Sequence, residues 1–184
     1  GAGGMDIGFE RAGVNIVFAN ELMKEAAETY KANRAVDVMV NANILDILSN
    51  FDSYQGTDIV FGGPPCQGFS VAGKRIIDDE RNKLYKSFVA FVNCFRPHAF
   101  VMENVPNILS IGNGIVKDSI IKDFENIGYK VSVQVIMASD YGVPQNRRRA
   151  VFVGMADGRN FVFPEPYKTE RVTSFEALSD LTED

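Results

Sequence analysis

Cys66 stands in a stretch whose composition favours chemistry over packing. Residues 62–70 read G-G-P-P-C-Q-G-F-S and follow an apolar, β-branched run at 58–61 that predicts a buried strand. Glycine lets the backbone turn sharply and proline ends strand pairing, so Cys66 is expected on a stiff, polar turn. A free cysteine is most often a small buried hydrophobe. A thiol just past the carboxyl end of a strand, where open α/β sheets bind ligands, is instead a candidate nucleophile.

A carboxylate is expected at the same edge of the sheet. Residues 98–103 predict a parallel strand that ends in the polar stretch E-N-V-P, whose first residue is Glu103. Because the carboxyl ends of parallel strands meet at one edge, Glu103 should converge with Cys66. On its own, Glu103 would be interpreted as a solvated loop acid. A cluster of arginines at 147–149 ends the loop over 140–149 and adds local positive charge.

Single residues exclude three other functions that such a loop could serve. A thiol phosphatase needs an arginine six positions after its cysteine, where this chain has Ala72. A cysteine protease or amidotransferase needs a histidine base, and His98 is expected at the opposite end of its strand. Residues 68–74 nearly match a phosphate-binding loop, but Arg75 replaces the Ser or Thr that this loop requires.

A glycine-rich turn, G-A-G-G, opens the sequence and leads into a helical pattern. Such turns normally follow a strand, so we expect one before Gly1. Residues 14–19 predict a second strand that ends at Asn20 and Glu21. Glu21 follows Gly3 by 18 residues. This is close to the spacing of roughly 20 residues between such a turn and the acid that binds ribose hydroxyls. The turn and the acid together favour an adenosine-type ligand, although alone they could be a plain turn and a helix-start acid.

The remaining elements alternate between helices and strands. Helices are expected over 22–33, 83–95, 115–127 and 174–181, strands over 129–137 and 150–155, and 36–47 is ambiguous. The short link between the last two strands predicts an antiparallel hairpin at the sheet edge. The helix over 83–95 carries an apolar stripe, and Cys94 beside that stripe is expected to be buried and inert. The stripe consists of Leu84, Phe88, Phe91, Val92 and Phe95.

The composition is that of an ordinary globular protein. The chain has 184 residues, 46% of them hydrophobic and 23% charged, which suits one domain. A net charge of −5 argues against holding nucleic acid by the overall field. Two cysteines and one histidine are too few for a disulfide framework or a zinc site, so we predict no metal. With no long apolar run and no charged leader, we expect no membrane association and a cytoplasmic location.

Taken together these stretches resemble the cytosine-5 DNA methyltransferases, which use S-adenosylmethionine, over nearly the whole chain. The resemblance rests on G-A-G-G at 1–4, Asn20-Glu21, P-P-C-Q-G-F-S at 64–70, E-N-V at 103–105 and Q-N-R-R-R at 145–149. It implies an α/β, Rossmann-like methyltransferase fold in three αβα layers, with a mostly parallel sheet and an antiparallel edge hairpin. Residues 1–158 would form the catalytic domain and 159–184 a linker toward an absent target-recognition domain. We therefore expect the chain alone to be inactive or nearly so.

The family's reaction implies roles for four side chains. Cys66 would add to carbon 6 of a flipped-out cytosine, and carbon 5 would then attack the cofactor methyl. Glu103 would bind ring nitrogen 3 and the exocyclic amine. Arg149 would hold the ring carbonyl oxygen, supported by Arg147. The cofactor product would be S-adenosylhomocysteine.

Position by position, the resemblance also implies two sets of binding residues. Those for the cofactor are Gly1, Gly3, Gly4 and Met5 at its methionine end, Glu21 on ribose, Asn43 and Ile44 beside adenine, and Pro65 and Leu84 closing the pocket. Those for DNA are Gln67, Ser70, Lys74 and Gln145. Asn43 departs from the aspartate usual in the family, yet its amide oxygen can still accept from the adenine amine.

The resemblance implies a bacterial modification enzyme that acts on double-stranded DNA near the nucleoid. A cognate restriction endonuclease would belong to the same system without direct contact. Two alternatives stay open. One is the tRNA-methylating branch of the same fold, and the other is a non-catalytic regulatory relative. The second is less favoured because the chain keeps Cys66, Glu103, Arg147 and Arg149.

Overall fold

The computed structural model of the protein describes residues 1–34, 39–48, 56–65, 83–167 and 171–181. In these ranges the chain alternates between helices and strands, as an α/β protein does. The helices are α1 (Gly4–Arg11), α2 (Lys24–Asn33), α3 (Ile44–Leu48), α4 (Lys83–Phe95), α5 (Ile115–Asn126) and α6 (Ser174–Ala177). The strands are β1 (Ala19–Glu21), β2 (Met39–Asn41), β3 (Ile59–Gly62), β4 (Ala99–Asn104), β5 (Lys130–Met137) and β6 (Arg148–Met155).

The chain divides into two compact units. The first comprises residues 1–57 and 90–96, and the second comprises 58–89 and 97–184. The division passes through helix α4, whose predicted bounds are confirmed. The domain boundary between 158 and 159 stays a prediction. No helix in the described ranges is long and apolar enough to cross a membrane.

A short parallel pair of strands forms the sheet of the first unit. Strand β1 pairs with β2 in a register that sets Ala19 opposite Met39 and Glu21 opposite Asn41. The strand predicted over 14–19 therefore begins only at its last residue. Strand structure requires a hydrogen-bonded partner, and β1 pairs with a strand of three residues.

Side-chain bonds connect helix α1 to helix α2 and to Arg34, the residue after α2, in the first unit. Gly3 precedes α1 with φ +92°, and a Cβ there would lie 2.8 Å from the Tyr30 ring. Glycine is therefore required both by the backbone conformation and by the close approach. The Tyr30 hydroxyl donates to Asp6 Oδ2 at 2.6 Å, and Arg34 forms an ion pair with Glu10. The predicted glycine turn leading into a helix is thus confirmed.

The second unit contains a sheet of four strands in the order β3-β4-β6-β5. Strands β3 and β4 are parallel, whereas β6 runs antiparallel to both β4 and β5. The predicted hairpin at the sheet edge is confirmed. The strand predicted over 150–155 begins two residues earlier, so Arg148 and Arg149 belong to β6 and not to the preceding loop. Pairing with Met137 and Ile136 of β5 extends it.

Aromatic rings fill the core of the second unit. The Phe100 ring stacks on Phe124 with centroids 3.9 Å apart and meets Phe88 edge-on at 6.2 Å. Gly154 lies opposite Phe100 in the β4–β6 register, and a Cβ at this glycine would fall 1.9 Å from the ring. The close approach of backbone to ring admits only glycine there.

Burial along helix α4 follows most of the predicted stripe. Phe88, Phe91, Val92 and Phe95 are buried, whereas Leu84 is 36% exposed. The prediction that Cys94 is buried is wrong, because Cys94 is exposed. It precedes Phe95 by one residue and is turned from it by about 100° around the helix axis.

The chain after β6 forms hydrogen bonds with earlier residues of the second unit. The Phe161 N–H donates to Ser132 Oγ at 3.0 Å, and the Tyr141 hydroxyl donates to the Pro164 carbonyl at 2.9 Å. Helix α6 begins after Thr173, which forms a capping box with Glu176. It ends at Ala177, short of the predicted end at 181.

Candidate active site

Glu103 lies near the carboxyl end of β4, on the face opposite the aromatic core. Alternate residues of this strand, Phe100, Met102 and Asn104, are buried. Side chains alternate between the two faces of a strand, so Glu103 points away from the core. Its side chain retains 26% exposure. The carboxylate can therefore meet a ligand while held by a rigid strand.

Two arginines converge on one oxygen of Glu103. Arg149 Nε lies 2.7 Å from Glu103 Oε1, and Arg147 Nη2 lies 3.4 Å from the same atom. Arg149 also donates from Nη1 to the Arg148 carbonyl at 2.7 Å. The structure thus brings together three of the four residues predicted to be catalytic.

The G-G-P-P turn passes beside the other carboxylate oxygen. A Cβ on Gly63 would lie 3.3 Å from Glu103 Oε2 and 3.6 Å from the Glu103 carbonyl. A larger residue at position 63 would therefore press on the carboxylate. Glycine here lets the turn approach Glu103 closely.

Asn104 ties this turn to strand β4. The buried Asn104 side chain donates from Nδ2 to the Pro64 carbonyl at 3.0 Å, and its Oδ1 accepts from the Val105 N–H at 2.9 Å. Both halves of the amide are used, so its orientation is defined. Sequence reasoning assigned no role to Asn104. Two features of the sequence could have indicated it. Asn104 directly follows Glu103, and the alternation of inward and outward residues along the strand predicts that Asn104 is buried.

Four predicted site residues lie outside the described part of the chain. These are Cys66, Gln67, Ser70 and Lys74. The described chain reaches the exposed Pro65, one residue before the cysteine. Their predicted roles, and that of Pro65, stay predictions.

Gln145 lies in a tight turn before the arginines. Its N–H donates to the Val143 carbonyl at 2.7 Å, and its own carbonyl accepts from the Arg147 N–H at 2.9 Å. Its side chain is exposed. This exposure is compatible with the predicted contact to DNA, which stays a prediction.

The predicted ribose acid lies beside the glycine turn in the first unit. The backbone nitrogen of Gly1 contacts Glu21 Oε2, and the Met23 N–H donates to Glu21 Oε1 at 2.8 Å. The structure therefore brings the glycine turn and the acid together.

Asn43 has a structural task in the first unit. Its Oδ1 accepts from the Leu45 N–H at 3.0 Å, which caps helix α3. The side chain is exposed and Ile44, which follows it, is half-buried. Contact of either residue with adenine stays a prediction, as do the cofactor contacts of Gly4, Met5 and Leu84.

No three side chains of His, Cys, Asp or Glu among the described residues cluster as metal ligands would. The polar groups that do converge are one carboxylate and two guanidinium groups in the second unit. Such a set can hold a polar heterocycle by hydrogen bonds and stabilise charge on it.

Sequence comparison gives a family match over the full chain. Residues 1–184 match the family of C-5 cytosine-specific DNA methylases. Two relatives are Type II methyltransferases: M1.HphI of Haemophilus parahaemolyticus, 41% identical over 97% of this chain, and M.DdeI of Desulfomicrobium norvegicum, 42% identical over 98%. This chain covers 50% and 46% of those two proteins, so it spans about half the length of the curated relatives it matches.

Solved structures of similar fold agree with this match. A prophage-encoded Escherichia coli protein described as a DNA modification methyltransferase superposes with a TM-score of 0.82 at 29% identity. It covers 100% of this chain and is itself covered over 53%. Spodoptera frugiperda DNMT2 superposes with a TM-score of 0.73 at 21% identity, over 100% of this chain and 58% of its own. The predicted methyltransferase fold class is confirmed.

Proposed function

Because this chain belongs to the family of C-5 cytosine-specific DNA methylases, we propose that it is the catalytic portion of a bacterial modification methyltransferase. The reaction is transfer of a methyl group from S-adenosylmethionine to carbon 5 of cytosine in double-stranded DNA. The observation that supports it most directly is the pairing of Glu103 with Arg149 and Arg147 beside the turn that leads to Cys66. The names of the similar Type II methyltransferases favour DNA as the substrate.

The covalent step uses Cys66 as the nucleophile. Carbon 5 of cytosine is a weak nucleophile, and addition of the Cys66 thiolate to carbon 6 makes it an enamine carbon. S-adenosylmethionine would supply the electrophilic methyl group to which carbon 5 bonds, and the electron pair of the broken methyl–sulfur bond would remain on S-adenosylhomocysteine. Loss of the carbon 5 proton to a base then expels Cys66 and restores the aromatic ring. A cytosine in duplex DNA reaches such a site only after flipping out of the stack.

Glu103 and the arginines would orient the base. Both arginines engage Glu103 Oε1, which leaves Oε2 toward the turn to meet ring nitrogen 3 and the exocyclic amine. Arg149 would hold the ring carbonyl oxygen through the guanidinium donors that Glu103 does not use. Ion pairs on a rigid strand fix these donors before the base arrives, so little reorganisation is needed in the reaction.

The first unit would bind the adenosine part of the cofactor. The Glu21 carboxylate can accept hydrogen bonds from ribose hydroxyls. A Cβ at Gly1 or Gly4 would meet no atom within 4 Å, which leaves open space beside the glycine turn for a ligand. S-adenosylmethionine would supply the electrophilic methyl group at the active site. The cell compartment that suits this activity is the cytoplasm, where bacterial DNA lies.

A calorimetric titration with S-adenosylhomocysteine tests the cofactor assignment. We expect the wild-type polypeptide that carries this chain to bind and Glu21→Ala to weaken binding, because the ribose hydroxyls lose their acceptor. Glu25→Ala removes an exposed acid of helix α2 in the same unit and should leave the affinity unchanged. Equal affinities of all three proteins would contradict a ribose role for Glu21.

Substitution of each cysteine tests the nucleophile. In the polypeptide that carries this chain, Cys66→Ser should abolish methyl transfer and leave cofactor binding nearly unchanged, since the thiolate acts on the base. Cys94→Ser, at the exposed cysteine of helix α4, should retain transfer. A large loss of cofactor affinity in Cys66→Ser would refute this division of roles. Parallel assays on duplex DNA and tRNA separate the proposed substrate from the tRNA alternative.

A further inference from the structure

Two asparagines of the first unit donate hydrogen bonds across the ends of strands β1 and β2. Asn20 Nδ2 donates to the carbonyls of Val40 at 3.0 Å and Ala42 at 2.8 Å. In the opposite direction, Asn41 Nδ2 donates to the carbonyls of Glu21 and Leu22, both at 2.9 Å. Each asparagine therefore bonds to one residue of the other strand and to the residue that follows that strand. We name this pair, Asn20 and Asn41, the asparagine clasp.

The clasp supplements a sheet with few bonds of its own. Strands β1 and β2 pair over three residues each, and the buried cluster against them consists of Ala27, Tyr30 and Met39. Where parallel strands end, backbone carbonyls lose their ladder partners and need other donors. A primary amide offers two N–H donors, and each clasp residue uses its amide nitrogen on two carbonyls.

The held carbonyls flank the residues assigned to the adenosine group. Asn41 holds the backbone of Glu21 itself, whose carboxylate would bind ribose. Asn20 holds the carbonyl of Ala42, directly before Asn43. The two candidate ligand-binding residues are thus connected through reciprocal side-chain bonds and not through the short ladder alone.

We propose that Asn20 and Asn41 are positioning residues that hold Glu21 and Asn43 in the relative placement required by the ribose and adenine of the cofactor. The inference rests on the proposed function, because it assigns the cofactor to this part of the chain. Neither asparagine touches the ligand in this assignment. Each acts through the residue whose backbone it fixes, so geometry and not charge is its contribution.

The substitution Asn41→Asp tests the proposal. Aspartate has nearly the same shape, but an ionised carboxylate cannot donate and faces the carbonyls of Glu21 and Leu22 with like partial charge. We expect the dissociation constant for S-adenosylhomocysteine to rise about tenfold, as loss of a well-placed hydrogen bond does. Asn33→Asp is the matched control, since Asn33 Nδ2 donates to the Thr29 carbonyl at 2.8 Å within helix α2. It should change the constant less than about twofold.

A double-substitution cycle distinguishes positioning from general destabilisation. If Asn41 acts through Glu21, Asn41→Asp should cost little further affinity once Glu21 is already alanine. A purely structural role would weaken binding by the same factor in both backgrounds, and that result would overturn the proposal. Asn20→Ser keeps one hydroxyl donor and is the milder variant if Asn41→Asp fails to fold. Its loss of affinity should be smaller than tenfold yet larger than that of the control.

The outcomes separate this inference from the proposed function. Tight binding by the wild type and weakened binding by Glu21→Ala, with Asn41→Asp and Asn20→Ser unchanged, would overturn the clasp alone. No detectable binding of S-adenosylhomocysteine by the wild-type polypeptide that carries this chain would overturn the cofactor assignment together with the clasp. Thermal unfolding of every variant shows that each affinity belongs to a folded protein.

Discussion

The two units hold their candidate residues by different physical means. In the first unit, neutral amides bind backbone carbonyls around Glu21, next to a small buried cluster. In the second unit, a stacked aromatic core supports strand β4, and ion pairs to Arg149 and Arg147 surround Glu103. Partly exposed ion pairs contribute little to stability. The charges around Glu103 therefore agree with the proposed contact to a substrate, and the amides around Glu21 with the proposed placement of the backbone.

The largest effect is expected at the charged cluster. Glu103→Gln keeps the side-chain shape but puts an amide before Arg149, so the base loses its acceptor and the arginines lose their anchor. We expect methyl transfer by the polypeptide that carries this chain to fall about 10³-fold, a magnitude typical of such groups. The midpoint of thermal unfolding should barely move, because the pair is partly exposed.

Glu125→Gln, at an exposed acid of helix α5, is the control for Glu103→Gln and should transfer methyl groups normally. Near-normal transfer by Glu103→Gln would show that the charges around Glu103 do not serve the reaction. A large drop in its unfolding midpoint would show instead that the charges serve stability.

The aromatic core of the second unit is tested by Gly154→Ala. The added Cβ would fall 1.9 Å from the Phe100 ring, so the ring or strand β6 must shift. We expect the free energy of unfolding in urea to fall on the order of 3 kcal/mol. Gly8→Ala in helix α1 is the control, because a Cβ there meets no atom within 4 Å. Gly8→Ala should instead raise the free energy of unfolding by about 0.5–1 kcal/mol. An unchanged free energy of unfolding in Gly154→Ala would mean that the core accommodates the added methyl group without cost.

An intermediate effect is expected at Asn104. Asn104→Ala removes the donor to the Pro64 carbonyl and the acceptor for the Val105 N–H. We expect the free energy of unfolding to fall by about 1–2 kcal/mol, and Cys66 to react at a changed rate with a thiol reagent as its turn loosens. Asn107→Ala, at an exposed amide a few residues on, should alter neither measurement. Equal thiol reactivity in both variants would argue that Asn104 does not hold the turn.

The smallest effect concerns Tyr30 of the first unit at alkaline pH. Burial, reinforced by the Asp6 carboxylate, raises the pKa of Tyr30 to about 12. The phenol of the unfolded chain ionises near pH 10. The contribution of Tyr30 to the free energy of unfolding is therefore complete below pH 10 and is lost as pH rises toward 12. At pH 11 the free energy of unfolding of the wild type should have fallen by about 1 kcal/mol more than that of Tyr30→Phe.

Tyr85 offers the matched position for this test in the second unit. Its hydroxyl donates to Asp123 Oδ2 at 2.9 Å, and burial likewise raises the pKa of Tyr85. Urea unfolding of Tyr30→Phe and Tyr85→Phe across this pH range compares the two units directly. An identical alkaline loss in wild type and Tyr30→Phe would show that Asp6 and Tyr30 are not coupled as the structure has them.

Local sequence patterns predicted the elements that depend on neighbours in the chain. The apolar spacing of helix α4 set its bounds, and the short link before β6 predicted the edge hairpin. The same patterns failed where the outcome depended on a partner. Strand β1 begins at Ala19 because its length depends on β2, and β6 extends to Arg148 because β5 pairs with it.

The sequence by itself determined which reactive groups the chain carries and, through the order of its motifs, the family to which it belongs. Only the tertiary structure decided what those groups touch. Arg149 meets Glu103, far from it in the chain, because β6 pairs antiparallel with β4. Asn104 reaches Pro64 because β3 pairs with β4, and the asparagine clasp joins β1 to β2 because those two strands pair. Such contacts depend on strand order and register, which side-chain periodicity along one segment does not encode.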